Sequence, residues 1–164
     1  MTWEETVNFV KQIPYGRNAN RFDFSLVISE NKGTCSSKHA FLKDYADKNN
    51  IPNVELIIGM YKMTESNTKI GKILSENNID YIPEAHCYLK VNNERMDVTS
   101  KEADFKKIKN DLLEEQVIQP FQVSDYKVEY HKEYLRKWIV GTSLNHNFEE
   151  IWRIREQCIE QLSK

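Results

Sequence analysis

The segment Glu84-Ala-His-Cys-Tyr-Leu-Lys-Val-Asn-Asn-Glu-Arg-Met-Asp-Val-Thr99 constrains this chain more than any other. Asn92-Asn93 suits a two-residue hairpin turn, because asparagine tolerates the positive φ such turns require. Centring the turn there pairs residue 91 with 94, 89 with 96, 88 with 97 and 86 with 99. One face then carries Cys87, Leu89, Val91, Met96 and Val98, with Glu94 its one polar member. The other face carries His86, Tyr88, Lys90, Arg95, Asp97 and Thr99. A one-residue slip would mix the two faces, so the pattern itself argues for the register. In that register His86 and Asp97 are diagonal neighbours with Cβ atoms about 7–8 Å apart, within reach of an imidazole–carboxylate hydrogen bond. Such a carboxylate would set the tautomer and orientation of His86. The plainer alternative is a solvated polar face with an incidental pair.

Other segments surround this hairpin with helices. Thr2-x-x-Glu5 before Val7 and Val10 reads as a capping box opening a first helix that Pro14 ends. Leu26-Val-Ile28 reads as a short buried strand. Thr34 caps a helix from Cys35 to about Asn49, on which Cys35, His39, Leu42 and Ala46 share one face. Val54 to Tyr61 reads as a buried strand, and Ser66 to Asn78 as a helix with Ile70, Ile73 and Leu74 inward. Phe105, Ile108 and Leu112 mark another helix. The mixed-charge run from Lys101 to Glu115 would be its solvated face. Val117 to Val123 is ambiguous, because Pro120 argues against a central strand. Two more helices follow, marked by Tyr130, Tyr134, Leu135 and Trp138, then by Phe148, Ile151, Trp152, Ile159 and Leu162. No repeat or Gly/Pro-rich linker divides residues 1–164, so the expectation is a single α+β domain.

The chemistry-bearing residue on the helices is Cys35, in Gly33-Thr-Cys-Ser-Ser-Lys-His39. A cysteine in the first turn sits near unpaired backbone N–H groups and the positive end of the helix dipole. That placement lowers a thiol pKa, and a nearby imidazolium lowers it further, to roughly 3.5–7.5 in reactive cases. The same N–H groups can stabilise an oxyanion on an attacked carbonyl. Gly33 suits a tight approach to the helix. A buried structural cysteine is the ordinary alternative. Cys35, His86 and Asp97 nevertheless supply a nucleophile, a base and an orienting acid.

A cysteine at a helix start, a histidine opening a strand and Asp97-Val-Thr on the next strand resemble the transglutaminase-like superfamily, a branch of the papain-like cysteine enzymes. The resemblance covers roughly residues 30–100. It implies a helix-start cysteine packed on a small antiparallel sheet, with additional C-terminal helices. It also implies that Cys35 is nucleophile, His86 general base and acid, and Asp97 orienter. Many relatives place an aromatic residue, or a small residue and then Trp, after the motif histidine; here Cys87 and Tyr88 stand there. The implied activity is acyl transfer or hydrolysis on an amide or ester through a thioacyl-enzyme, with a peptide, protein or small amide as substrate. Cleft or oxyanion candidates are Tyr15 and Asn18 in the loop before the cysteine helix, His39 one turn after Cys35, Glu84 beside His86, and Tyr88. A non-catalytic peptide- or ligand-binding module retaining a relic triad is the alternative.

Composition narrows the partners. Lys and Arg number 23 and Asp and Glu 25, a net charge of −2 that offers no basic footprint for nucleic acid. No apolar run approaches the ~18 residues of a membrane span. Met-Thr-Trp-Glu-Glu lacks a signal peptide's basic and apolar regions, so the expectation is cytoplasmic. Three cysteines without CxxC spacing disfavour a disulfide framework. Zinc on Cys35 and His39 is the main rival, but His86 and Cys87 point to opposite strand faces and cannot readily complete one site. The chemistry expected needs neither metal nor cofactor.

Overall fold

The Asn92-Asn93 turn organises the sheet. In the computed structural model, which describes all 164 residues, the two asparagines have φ of 51° and 67°. Residue 91 pairs with 94, 90 with 95 and 89 with 96, as the face pattern requires. The chain runs α1 (Trp3–Gln12), α2 (Leu26–Ser29), α3 (Cys35–Lys48), β1 (Val54–Met63), α4 (Ile73–Glu76), β2 (Ile82–Val91), β3 (Glu94–Met96), β4 (Leu112–Ile118), α5 (Asp125–Val140) and α6 (Phe148–Leu162). Three short 3-10 turns flank β4. The architecture is α+β: one antiparallel sheet of order β3-β2-β1-β4, with helices against it.

The alternation of β1 and β2 separates two cores. Leu56, Ile58, Met60, Ala85, Cys87 and Leu89 pack on Val7 and Val10 of α1 and on Ala40, Leu42 and Ala46 of α3. Ile57, Tyr61 and Tyr88 face the other way, onto Leu135 of α5 and Ile151, Ile154 and Cys158 of α6. The two helical groups therefore clamp a sheet that is apolar on both sides. No helix is long and apolar enough to cross a membrane.

Four segments differ from the sequence expectations. Residues 26–28 form the helical turn α2 rather than a strand. Asp23 accepts from the Ser25 N–H, Leu26 and Val27 bond back three residues, and only Val27 is buried. Between Ser66 and Asn78 the helix is confined to α4. Thr64 and Asn67 exchange side-chain and backbone hydrogen bonds, and that turn consumes the start of the expected helix. Residues 101–115 are not one solvated helix. Asp104 caps the Phe105–Lys107 turn, Phe105 and Ile108 are buried, and Leu112 opens the edge strand β4. Charged residues on that open edge discourage further pairing, and Pro120 starts a 3-10 turn just after it. The hairpin also stops early. After Met96 the chain leaves the ladder, so the expected pairs 88–97 and 86–99 are not made.

Candidate active site

Reciprocal capping builds the first wall of the cleft. Thr34 Oγ1 accepts from the Ser37 N–H, and Ser37 Oγ accepts from the Thr34 N–H at 3.0 Å. This fixes the opening turn of α3, whose first residue is Cys35. The N–H groups of Cys35 and Ser36 lie in the helix's first turn and have no intrahelical acceptor. The preceding loop is pinned alongside: Gly16 N–H donates to Gly33 O and Gly33 N–H to Pro14 O, each at 3.1 Å. Gly33 is required there, because a Cβ would meet Lys38 Cγ at 2.9 Å and Val27 Cγ2 at 3.1 Å.

The second wall comes from the hairpin. His86 Nε2–H donates to Asp97 Oδ2 at 2.7 Å, leaving Nδ1 free on the other side of the ring. Asp97 Oδ1 accepts from the Thr99 N–H at 3.0 Å and its hydroxyl at 2.5 Å. Asp97 thus meets the imidazole from just beyond the last ladder residue, Met96. Tyr61 meets the His86 ring edge-on, with centroids 5.9 Å apart. Cys35, His86 and Asp97 all line one cleft of about 720 Å3.

Electrostatics set the protonation states. Burial opposes charge on His86, but Asp97 and Cys35 outweigh it and push its pKa up to about 10. Burial likewise opposes ionisation of Asp97, yet His86 and the Thr99 hydroxyl hold the carboxyl well below its usual range. The Cys35 thiol is pulled well below its ordinary value by a hydrogen bond from Cys87. Burial works against that, while Lys127 and His86 add positive charge. Both shifts favour the thiolate–imidazolium form of the pair.

The remaining sequence candidates divide. Tyr15 lines the cleft within the field of Cys35 and Glu84, and burial keeps its phenol protonated. Its hydroxyl can serve as a donor. Asn18 also lines the cleft, but its amide N–H groups are spent on Glu30 Oε1 at 2.9 Å and Lys32 O at 2.8 Å. It braces the loop rather than supplying an oxyanion donor. Glu84 borders the cleft yet is locked by Arg155, Nη2 to Oε1 at 2.6 Å and Nε to Oε2 at 2.9 Å. His39 lies beneath the site, fully buried. Its Nε2 accepts from the Val98 N–H at 2.9 Å, so Nδ1–H donates to Cys35 O at 2.7 Å. Both ring nitrogens are occupied, which removes His39 as a ligand for the zinc considered above. Tyr88 is fully buried, bonded to Glu115 and packed 4.9 Å from Phe105, outside the cleft.

Neither protein-family models nor curated proteins nor solved structures match this chain.

Three cationic residues of the site were not found by spacing. Lys127 Nζ lies 3.9 Å from Cys35 Sγ. Lys38 is fully buried and donates to Ile13 O and to Thr99 O at 2.8 Å, tying the Tyr15 loop and the Asp97 loop to α3. Burial brings its pKa down to about 8. Arg155 lies on α6 between Ile151 and Cys158. Each interrupts a helix's apolar stripe, and that interruption was the available signal: Lys38 precedes Leu42 by four residues, and Lys127 precedes Leu135 by eight.

Proposed function

We propose that this protein is a cysteine-dependent acyl-transfer enzyme or hydrolase of the transglutaminase-like type. The observation carrying the reading is the His86–Asp97 hydrogen bond at 2.7 Å in the cleft that also holds the helix-start thiol Cys35. The Cys35 thiolate attacks an amide or ester carbonyl and the C–S bond forms, while the carbonyl π pair moves onto oxygen. The first-turn N–H groups of α3, with the Tyr15 hydroxyl, receive that oxyanion. As the tetrahedral intermediate collapses, imidazolium His86 gives its proton to the departing amine or alcohol. Neutral His86 then takes a proton from water or an amine, which releases the acyl group. Asp97 holds the ring so that Nδ1 serves this exchange. The substrate class is a peptide, protein or small amide. The proposed setting is the cytoplasm, supported by three cysteines that are all unpaired.

The test is a screen of peptides, glutamine amides and esters on wild type, Cys35→Ala and Asp97→Asn. Turnover is expected in wild type, absent in Cys35→Ala, and reduced by about a hundredfold or more in Asp97→Asn, whose amide cannot stabilise the imidazolium as a carboxylate does. Turnover persisting in Cys35→Ala would refute the mechanism.

A further inference from the structure

The ion pairs of the cleft leave positive charge over. Glu84 is engaged through both oxygens by Arg155. Glu156 takes Arg17 and Arg155, each at 2.8 Å. Arg21 lines the same wall and enters no ion pair. Burial and the like charges of Arg17 and Arg155 push its pKa down, with Glu156 and Asp125 as the acids facing it. Lys127 is only 8% exposed, and its one polar contact is the Cys35 sulfur at 3.9 Å. In a chain of net charge −2, this surplus is a local construction.

The reaction leaves the net charge of the site unchanged but removes the anion beside Lys127. In the resting site the Cys35 thiolate answers Lys127. On acylation the sulfur becomes a neutral thioester, the C–N or C–O bond breaks, and His86 gives its proton to the leaving group. Asp97 stays anionic against His86 and Thr99, on the far side of the imidazole. Lys127 has then lost the anion in contact with it, and the carboxylate that remains in its field, Glu84, is already engaged by Arg155 through both oxygens, so a bound anion would be favoured beside it. A carboxylate on the acyl group would supply it.

We propose that the cleft selects acyl substrates bearing a carboxylate, seated on Lys127 beside the thiol with Arg21 further along the wall. The inference rests on the acyl-transfer reading of Cys35 and names its substrate class. It is tested without turnover, by the rates at which iodoacetate and iodoacetamide alkylate Cys35, with peptide mapping of the product. The two reagents differ in one carboxylate. Relative to the same ratio for a small free thiol, the iodoacetate-to-iodoacetamide ratio at Cys35 should be raised about tenfold, as expected for a near, partly desolvated cation. Lys127→Gln should return the ratio towards the free-thiol value, and 0.5 M salt should leave most of the wild-type preference intact because the cation is buried (the Debye length there is about 4 Å). Arg21→Gln, at a residue that enters no ion pair, should lower the ratio in a protein that folds normally. Rapid alkylation of Cys35 with no charge preference would overturn this inference and leave the acyl-transfer reading standing. Resistance of Cys35 to both reagents would overturn both.

Discussion

A histidine titrating at about 10 is already an acid at neutral pH. In the proposed reaction His86 therefore enters as the acid, and its task is to deliver its proton to the leaving group. The linkage runs in a definite direction. The folded-state pKa of His86 lies above its unfolded value of about 6.5, so its contribution to stability is full below that pH and is lost as pH rises through about 10. For reactivity, the Cys35 thiol is held well below its ordinary value, which favours the thiolate. Alkylation of Cys35 by a neutral electrophile should therefore be nearly flat from pH 8 to pH 6. In His86→Ala, where Cys87 and Lys127 still favour the thiolate but the imidazolium is gone, the rate should fall with pH over the same interval. Cys87 and Cys158, both buried with raised pKa values, should label slowly in either protein. A wild-type rate that drops with pH as steeply as the variant's would contradict an imidazolium–thiolate pair.

At the scale of elements, the strand opposite His86 shows how closely the site depends on the sheet. Gly59 of β1 pairs with His86 of β2, and a Cβ there would meet Tyr88 Oη at 2.3 Å and Tyr88 Cε1 at 2.6 Å. Tyr88 cannot simply swing aside, because it is buried between Phe105 and the His86 ring and bonded to Glu115. Gly59→Ala should destabilise the fold by about 1–3 kcal/mol, the usual cost of overpacking a filled core. Urea unfolding would measure it, and His86 displaced by the shifted ring should slow Cys35 labelling as well. A glycine inside a strand was a legible sign of close approach; which side chain approached was not. The hairpin was the most legible element, because two asparagines and a strict alternation fixed its register. The helix carrying Cys35 was legible from Thr34. The errors fell where apolar spacing is degenerate. Phe105 and Ile108, three apart, fit a 3-10 turn as well as a helix, and Leu26-Val-Ile28 could be strand or turn until Asp23 bonded to Ser25. The site followed the same rule. His86 and Asp97 lie on one hairpin, so their meeting was legible even though the ladder stops at Met96 before reaching Asp97, whereas Lys127 and Arg155 reach the cleft from helices distant in sequence. Nothing local pairs them with Cys35 or Glu84.

Across the whole molecule, the Glu84–Arg155 pair joins the last helix to the central sheet. Arg155 also lies over Trp152, 5.0 Å from the ring centroid, and bonds to Glu156. Both partners are nearly excluded from water, with side chains 5% and 11% exposed. A buried pair is weak support for stability as such, but losing one member strands the other. Arg155→Met should therefore cost about 3–5 kcal/mol at neutral pH. The pH dependence distinguishes this cause from simple loss of packing. In wild type, burial would raise the Glu84 pKa, but Arg155 and His131 hold it below its ordinary value. Its stabilisation is then full above the unfolded carboxylate pKa of about 4.3 and is lost as pH falls through the lower folded value. In Arg155→Met burial dominates, the folded pKa moves above the unfolded one, and the penalty is relieved as acid neutralises Glu84. His131 acts in the same direction. It lies 3.9 Å from Glu84, and its pKa is down at about 4, chiefly through burial and in part through Arg155, so without Arg155 it takes up a proton more readily. The gap in Tm between the two proteins should narrow steadily from pH 7 to pH 4. A gap constant across that range would mean that Arg155 holds α6 by its contacts with Trp152 and not by its charge on Glu84.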